Sequence, residues 1–192
     1  PRGKMTRSPL WKTSAIAKGG IAVSVDAGKT WKPVITGMGD NSPATSIVMD
    51  TASAVGERTL YAAVYNKGVY KSTNDGQSWK LCNNGIDSNI AAFEITLASD
   101  GSLYLLTCPV PKFMNGEKGS AFYTGAVYKS TDGAASWEKL QVTANDLLFP
   151  SGLTFDPGDP NTLYLGCWAD ISLGDLIGLA VAKASGGDER IH

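Results

Sequence analysis

Ser24-Val25-Asp26-Ala27-Gly28-Lys29-Thr30-Trp31, Ser72-Thr73-Asn74-Asp75-Gly76-Gln77-Ser78-Trp79 and Ser130-Thr131-Asp132-Gly133-Ala134-Ala135-Ser136-Trp137 align without a gap. Their starts lie 48 and 58 residues apart. Each octet follows a short alternating stretch: Gly-Ile-Ala-Val-Ser at 20–24, Gly-Val-Tyr-Lys-Ser at 68–72 and Ala-Val-Tyr-Lys-Ser at 126–130. Beyond each tryptophan a further strand is predicted, over 31–35, 79–82 and 137–142. A strand, a polar turn holding Asp or Asn with Gly, and a second strand make a β-hairpin.

A second pair of strands recurs upstream of the turns. Ser46–Asp50 precedes Thr59–Val64, Phe93–Ala98 precedes Ser102–Thr107, and Gly152–Asp156 precedes Thr162–Gly166, the later member beginning with Leu-Tyr or one residue before it each time. Four short strands, A to D, in each unit of ~50 residues are the blade of a β-propeller. A two-layer sandwich does not explain why one turn returns after every second hairpin. The chain of 192 residues is therefore read as all-β, built of four-stranded antiparallel blades and covering roughly three to four of them. Residues 1–35 read as the end of one blade, 43–82 and 91–142 as full blades, and 151–192 as the start of a further one.

Composition removes several function classes. Seventeen Lys and Arg against eighteen Asp and Glu leave a net charge of −1, with no block of like charge to attract nucleic acid or an anionic membrane. No apolar run reaches the ~20 residues of a membrane span; the best, 171–182, is broken by Asp175. His192 is the only histidine, which excludes Ser-His-Asp and Cys-His catalysis within the chain. Cys82, Cys108 and Cys167 contain no CxxC pair; they read as small buried hydrophobes, with a Cys108–Cys167 bridge left open. No metal centre and no cofactor are expected, the Asp-bearing turns being the one place suited to calcium. The chain begins with Pro1, which reads as a processed or truncated end.

The octets resemble the Asp-box (BNR) repeat, Ser/Thr-x-Asp-x-Gly-x-x-Trp at the C–D turn. Asn74 stands in the Asp position of the second copy and Ala134 in the Gly position of the third. The motif has a local physical logic: hydroxyl and carboxylate accept turn N–H groups, Gly supplies positive φ, and Trp wedges against a neighbour. Ser24, Asp26, Gly28, Trp31, Ser72, Asn74, Gly76, Trp79, Ser130, Asp132 and Trp137 are accordingly read as structural. The resemblance implies a ring of seven blades and a ligand face opposite the boxes. The rest of the ring, on another polypeptide, in a missing segment or in a second copy, is then an expected partner.

Two predicted B–C connections are long, 108–125 and 168–189, and long loops on a rigid frame commonly carry function. Phe113, Phe122, Tyr123 and Trp168 suit stacking on sugar rings, and Asp170 is the candidate acid or base, with Asp40 and Asp146 weaker. The order Leu-Tyr strand, Gly/Pro-rich insertion and Gly-Ala-Val-Tyr-Lys at 103–129 is similar to the family 74 glycoside hydrolases (xyloglucanases). That resemblance implies a secreted or periplasmic hydrolase of β-glucans using two aspartates. The Asp-Pro-x-x-Pro-Asn-Thr-Leu segment near 156–163 is shared with sortilin and photosystem-assembly propellers, which keeps a non-catalytic protein- or glycan-binding propeller as the alternative. Sialidase chemistry is disfavoured, because the arginines, Arg2, Arg7, Arg58 and Arg190, lie mostly near the ends.

Overall fold

The structure, a computed structural model, describes residues 19–88, 91–108, 110–112, 121–123, 125–141, 149–156 and 159–168. All regular structure among them is β. In chain order the strands are β1 (Ala22–Val23), β2 (Lys32–Pro33), β3 (Ala44–Asp50), β4 (Thr59–Val64), β5 (Gly68–Ser72), β6 (Lys80–Leu81) and β7 (Ala91–Leu97). They continue as β8 (Leu103–Cys108), β9 (Val110–Lys112), β10 (Ala121–Tyr123), β11 (Ala126–Ser130), β12 (Glu138–Lys139), β13 (Phe149–Asp156) and β14 (Asp159–Trp168).

Two antiparallel sheets hold four strands each, in the order β3-β4-β5-β6 and β7-β8-β11-β12. Each is a full four-stranded blade, the first spanning residues 44–81 and the second 91–139. The hairpin β1–β2 supplies a C–D pair before them, and β13–β14 an A–B pair after them. Each strand is hydrogen-bonded to the next in sequence within its blade, apart from a short ribbon of β9 and β10 inserted between β8 and β11. The remaining expected stretches, 1–18 and 169–192, lie outside the described residues.

Burial follows position in the blade. The B strands of the two full blades, β4 and β8, are sandwiched between neighbouring sheets and are apolar on both faces. Tyr61 and Ala63 of β4 pack with Ile95, Leu103, Leu105 and Tyr128 of the following blade. Ala62 and Val64 point the other way, onto Met38, Ile21 and Ile35. In β8 the same split sends Leu103 and Leu105 backward and Tyr104 and Leu106 forward, onto Leu153, Phe155, Leu163 and Leu165. The outer D strands are only two residues long and exposed, and every one carries a lysine: Lys32-Pro33, Lys80-Leu81, Glu138-Lys139. Short, charged edges resist pairing with other chains. Longer D strands were expected. They stop early because the chain turns toward the neighbouring blade after a last bond to the C strand: Val34 N to Ile21 O, Cys82 N to Val69 O and Leu140 N to Val127 O, 2.8–2.9 Å.

All three A strands have a bulge near their start, between Ala44 and Ser46, Ala92 and Glu94, and Pro150 and Gly152. A bulge bends the strand and re-aims its side chains. Thr45 Oγ1, from the first of these, donates to Ala92 O of the next blade at 3.2 Å, and Ser46 Oγ donates to Ile95 O at 3.3 Å. Glu94 Oε2 accepts the Leu153 N–H at 3.1 Å. The inner strands are thereby tied across both blade boundaries.

The outer boundary is tied by tryptophan. Trp79 Nε1 donates to Val34 O at 2.8 Å and Trp137 Nε1 to Cys82 O at 2.9 Å, each the carbonyl three residues past the preceding tryptophan. Their backbone N–H groups bond Thr36 O and Asn84 O. Gly37 and Gly85, six residues past Trp31 and Trp79, permit this approach. At both, φ is positive (+89°), and a Cβ would collide with the carbonyl oxygen of Trp79 or Trp137.

The two effects at Gly85 are separable. Gly85→Ala should lower stability by about 3 kcal/mol, from left-handed backbone strain plus displacement of the Trp137 backbone. Gly101→Ala, at φ +83° but with nothing within 4 Å of the added methyl, should lose only about 1 kcal/mol. Urea unfolding midpoints of the two variants measure the difference, and equal losses would contradict the close-approach account.

Candidate functional site

The molecule has two faces. On one lie the three tryptophan-ended turns and the A–B turns. On the other lie the B–C and D–A connections.

The turns on the first face are closed by their own side chains. Ser24 Oγ donates to Asp26 Oδ1 (2.8 Å) and accepts the Gly28 N–H (2.8 Å); Asp26 accepts the Thr30 N–H (2.8 Å) and hydroxyl (2.6 Å). Ser130, Asp132, Ala134 and Ser136 repeat this network at 2.6–3.0 Å. In the middle turn Asn74 Oδ1 accepts from Ser72 Oγ and Ser78 N, while Asn74 Nδ2 donates to Ser78 Oγ. The amide thus inverts one hydrogen bond and keeps the geometry. Ala134, standing where the other turns have Gly, adopts φ +68° and is fully buried. The hydroxyls Thr30, Ser78 and Ser136 take part in every turn, and the eight-residue pattern did not single them out.

These carboxylates do not suit proton transfer near neutral pH. The Thr30 hydroxyl, with further N–H and O–H donors, holds Asp26 down at about 2, and Ser136 does the same for Asp132. Between the A–B turns of the two full blades runs a groove of about 820 Å³, lined by Val48, Met49, Tyr61, Leu97, Asp50 and Asp100 among others. Asp100 accepts from Ser102 N and Oγ, which lowers its pKa, so it closes its own turn.

On the opposite face the B strands β8 and β14 end at Cys108 and Trp168, paired with Ala91 and Phe149 at the starts of β7 and β13. The connection after β8, expected as a loop, contains the ribbon in which Tyr123 pairs with Val110, Phe122 with Pro111 and Ala121 with Lys112. Phe122 and Tyr123 thus lie on β10, and Trp168 is the last residue of β14 rather than a loop residue. The backbone brings the ribbon and the end of β14 to the same side of neighbouring sheets. Phe113, Asp146 and Asp170 lie outside the described residues.

The D–A connections complete this face. Lys67 Nζ fastens the first, donating to Met38 O, Asp40 O and Ser42 Oγ at 2.6–3.2 Å. In the second, Asp87 Oδ2 accepts from Lys139 Nζ at 2.9 Å and from the Tyr128 hydroxyl at 2.8 Å. Lys139 and Tyr128 keep Asp87 below the ordinary carboxylate range, while burial and Asp87 push Tyr128 up to about 12. Asp87 is therefore an ionised anchor between blades and no source of a proton.

All three cysteines are free thiols, Cys108 and Cys167 included, and burial raises the pKa of each. Among the described residues no group of three or more His, Cys, Asp or Glu converges on a point, and no helix is long and apolar enough to cross a membrane.

The turn carboxylates set an acid-side expectation. Their folded pKa values lie below the ordinary 3.8, so their contribution is present above about pH 4 and is lost as pH falls toward 2. Thermal melts of Asp26→Asn/Asp132→Asn should lose less Tm between pH 4 and pH 2 than the parent. The slope that remains should come from Asp87, Asp100 and Asp159, which are shifted in the same direction.

No family model and no curated protein matches this chain. Solved structures do. A glycoside hydrolase family 74 enzyme of Niastella koreensis aligns with a TM-score of 0.59 and 24% identity over 76% of this chain. The family 74 xyloglucanase of Xanthomonas campestris aligns with a TM-score of 0.53 and 19% identity, again over 76%. The alignments cover 21% and 23% of those chains, so this chain spans about a fifth of the length of each. The shared property is the fold: antiparallel four-stranded blades of a β-propeller.

Proposed function

We propose that the chain is a segment of a carbohydrate-active Asp-box propeller acting on a β-glucan or related polysaccharide, at the face that carries its B–C connections. The observation that supports this most is the coincidence of two features. The frame is similar to two family 74 glycoside hydrolases, and its neighbouring B strands β8 and β14 end on one face, where the long connections predicted at 108–125 and 168–189 begin. The remainder of the ring, seven blades in this reading, completes the cleft, and a polysaccharide substrate goes with an extracellular or periplasmic site of action.

In this reading Trp168, Phe113, Phe122 and Tyr123 stack against sugar rings, whose C–H faces match the electron-rich aromatic surface. Asp170 donates or withdraws the proton at the glycosidic oxygen. A second carboxylate, ~5–10 Å away, completes the pair that such hydrolysis requires. Asp87 is not that second group, because Lys139 and Tyr128 occupy it. The octet residues Asp26, Asn74 and Asp132 have folding roles only.

The test combines binding and turnover on xyloglucan oligosaccharides. Trp168→Ala should weaken binding by about tenfold, the loss of one stacked ring. Asp170→Asn should abolish turnover while leaving binding and Tm intact. Binding without turnover in the parent chain would replace the hydrolase by a glycan-binding propeller, and unchanged turnover in Asp170→Asn would remove that residue from the chemistry.

A further inference from the structure

Asn84 and Gly85 lie at the boundary between the two full blades. Trp137 N–H donates to Asn84 O at 2.9 Å, Trp137 Nε1 donates to Cys82 O at 2.9 Å, and Asn84 Nδ2 reaches Ala135 O at 3.5 Å. Ile86 N–H bonds Asn83 O at 3.0 Å, and Gly85 alone within the turn has a positive φ, +89°. Residues 83–86 are therefore a type II turn. Residues 35–38 make the same turn one boundary earlier, with Met38 N bonded to Ile35 O and Trp79 N to Thr36 O. The two turns differ in the residue before the glycine, which is Thr36 in one and Asn84 in the other.

That difference is chemical. The backbone nitrogen that follows an asparagine can attack its side-chain carbonyl carbon and close a five-membered imide. Glycine obstructs this attack least, because it has no side chain. Asn84 and Gly85 are both exposed, and among the described residues the Gly85 N–H has no hydrogen-bond partner. The turn itself opposes the reaction. In a type II turn the residue before the glycine is extended, which holds its Cγ away from the next nitrogen. Rotation about the Asn84 Cα–C bond brings Cγ to Gly85 N and, by the same motion, swings the Asn84 carbonyl off the Trp137 N–H. Attack and docking exclude one another.

We propose that Asn84 is a self-modification site whose rate is set by opening of this blade boundary, and whose product stops the boundary closing in register. Gly85 N gives up its proton and bonds to Asn84 Cγ; the Cγ–Nδ2 bond breaks and Nδ2 leaves as ammonia. Water then opens the imide at either carbonyl, giving aspartate or isoaspartate. In isoaspartate the main chain runs through Cβ and Cγ and is one atom longer. Gly85 then cannot keep its approach to the Trp137 carbonyl, which is too close to admit even a Cβ. Thr36 offers no carbonyl for such attack, so the earlier boundary is exempt.

Ageing the 192-residue chain in mildly alkaline buffer, with tryptic mass mapping and labelling by an isoaspartyl methyltransferase, tests the site. Isoaspartate is expected at position 84, forming well below the rate of the same chain in urea, where nothing holds the turn. The other Asn-Gly pair, Asn115-Gly116, falls on a different tryptic peptide and is read separately. Trp137→Phe keeps an aromatic ring but loses the indole donor; it should speed conversion about tenfold while the far-UV spectrum stays that of the parent. Asn84→Thr, copying the earlier boundary, should abolish conversion there and keep the parent Tm. Chain enriched in isoaspartate should melt lower, whereas Asn84→Asp, with the charge but no added main-chain atom, should not. No conversion in the folded chain, conversion as fast folded as in urea, no acceleration in Trp137→Phe, or an unchanged Tm after isoaspartate forms would each overturn the proposal.

Discussion

The structure depends on an indole N–H given to a backbone carbonyl in the sheet before it. Within a blade, pairing of consecutive strands is local and is satisfied by short turns. Between blades there is no backbone ladder, so apolar burial alone would leave two sheets free to slide. Trp79 and Trp137 remove that freedom by engaging the preceding sheet with side chain and backbone together, at a point where a glycine lets the two backbones nearly touch. Side-chain bonds from Thr45 and Ser46 fix the inner strands between the two full blades, so that this boundary is pinned near both edges, while the bond from Leu153 N–H to Glu94 fixes the inner strands between the second full blade and β13–β14.

Much of this frame is legible in the sequence because its signals are local. The turn octets and the Leu-Tyr strands carry their own hydrogen-bonding and burial logic, and their repetition places every described blade. What sequence reading missed depends on contact between units. Gly37 and Gly85 follow the first two tryptophans by six residues, yet their necessity comes from a carbonyl in the next blade. The hydroxyls Thr30, Ser78 and Ser136 stand before all three tryptophans and were visible as a column, but not as hydrogen-bond partners. The bulges in the A strands have no composition signature of their own. For the candidate site, the face and the backbone positions of Phe122, Tyr123 and Trp168 are described, whereas Phe113 and Asp170 fall outside the described residues.

Carboxylates in this chain divide by what they hold. Asp26, Asp132, Asp100 and Asp159 accept from groups two to four residues away and close turns. Asp87 alone in this set reaches a distant tyrosine and lysine. All are driven toward permanent ionisation by those donors. Acid–base chemistry needs the opposite setting, a carboxyl short of donors and close to neutrality in its environment. In the described frame these aspartates therefore serve rigidity.

The two octet spacings differ by ten residues, and the extra length lies in the connection that contains the β9–β10 ribbon, on the face away from the tryptophans. Neither the indole bond nor the glycine approach is disturbed by it. Connections on that face are consequently free to lengthen, shorten or be exchanged over generations without renegotiating how sheets dock, which lets one architecture vary the surface it presents while its foldability is conserved.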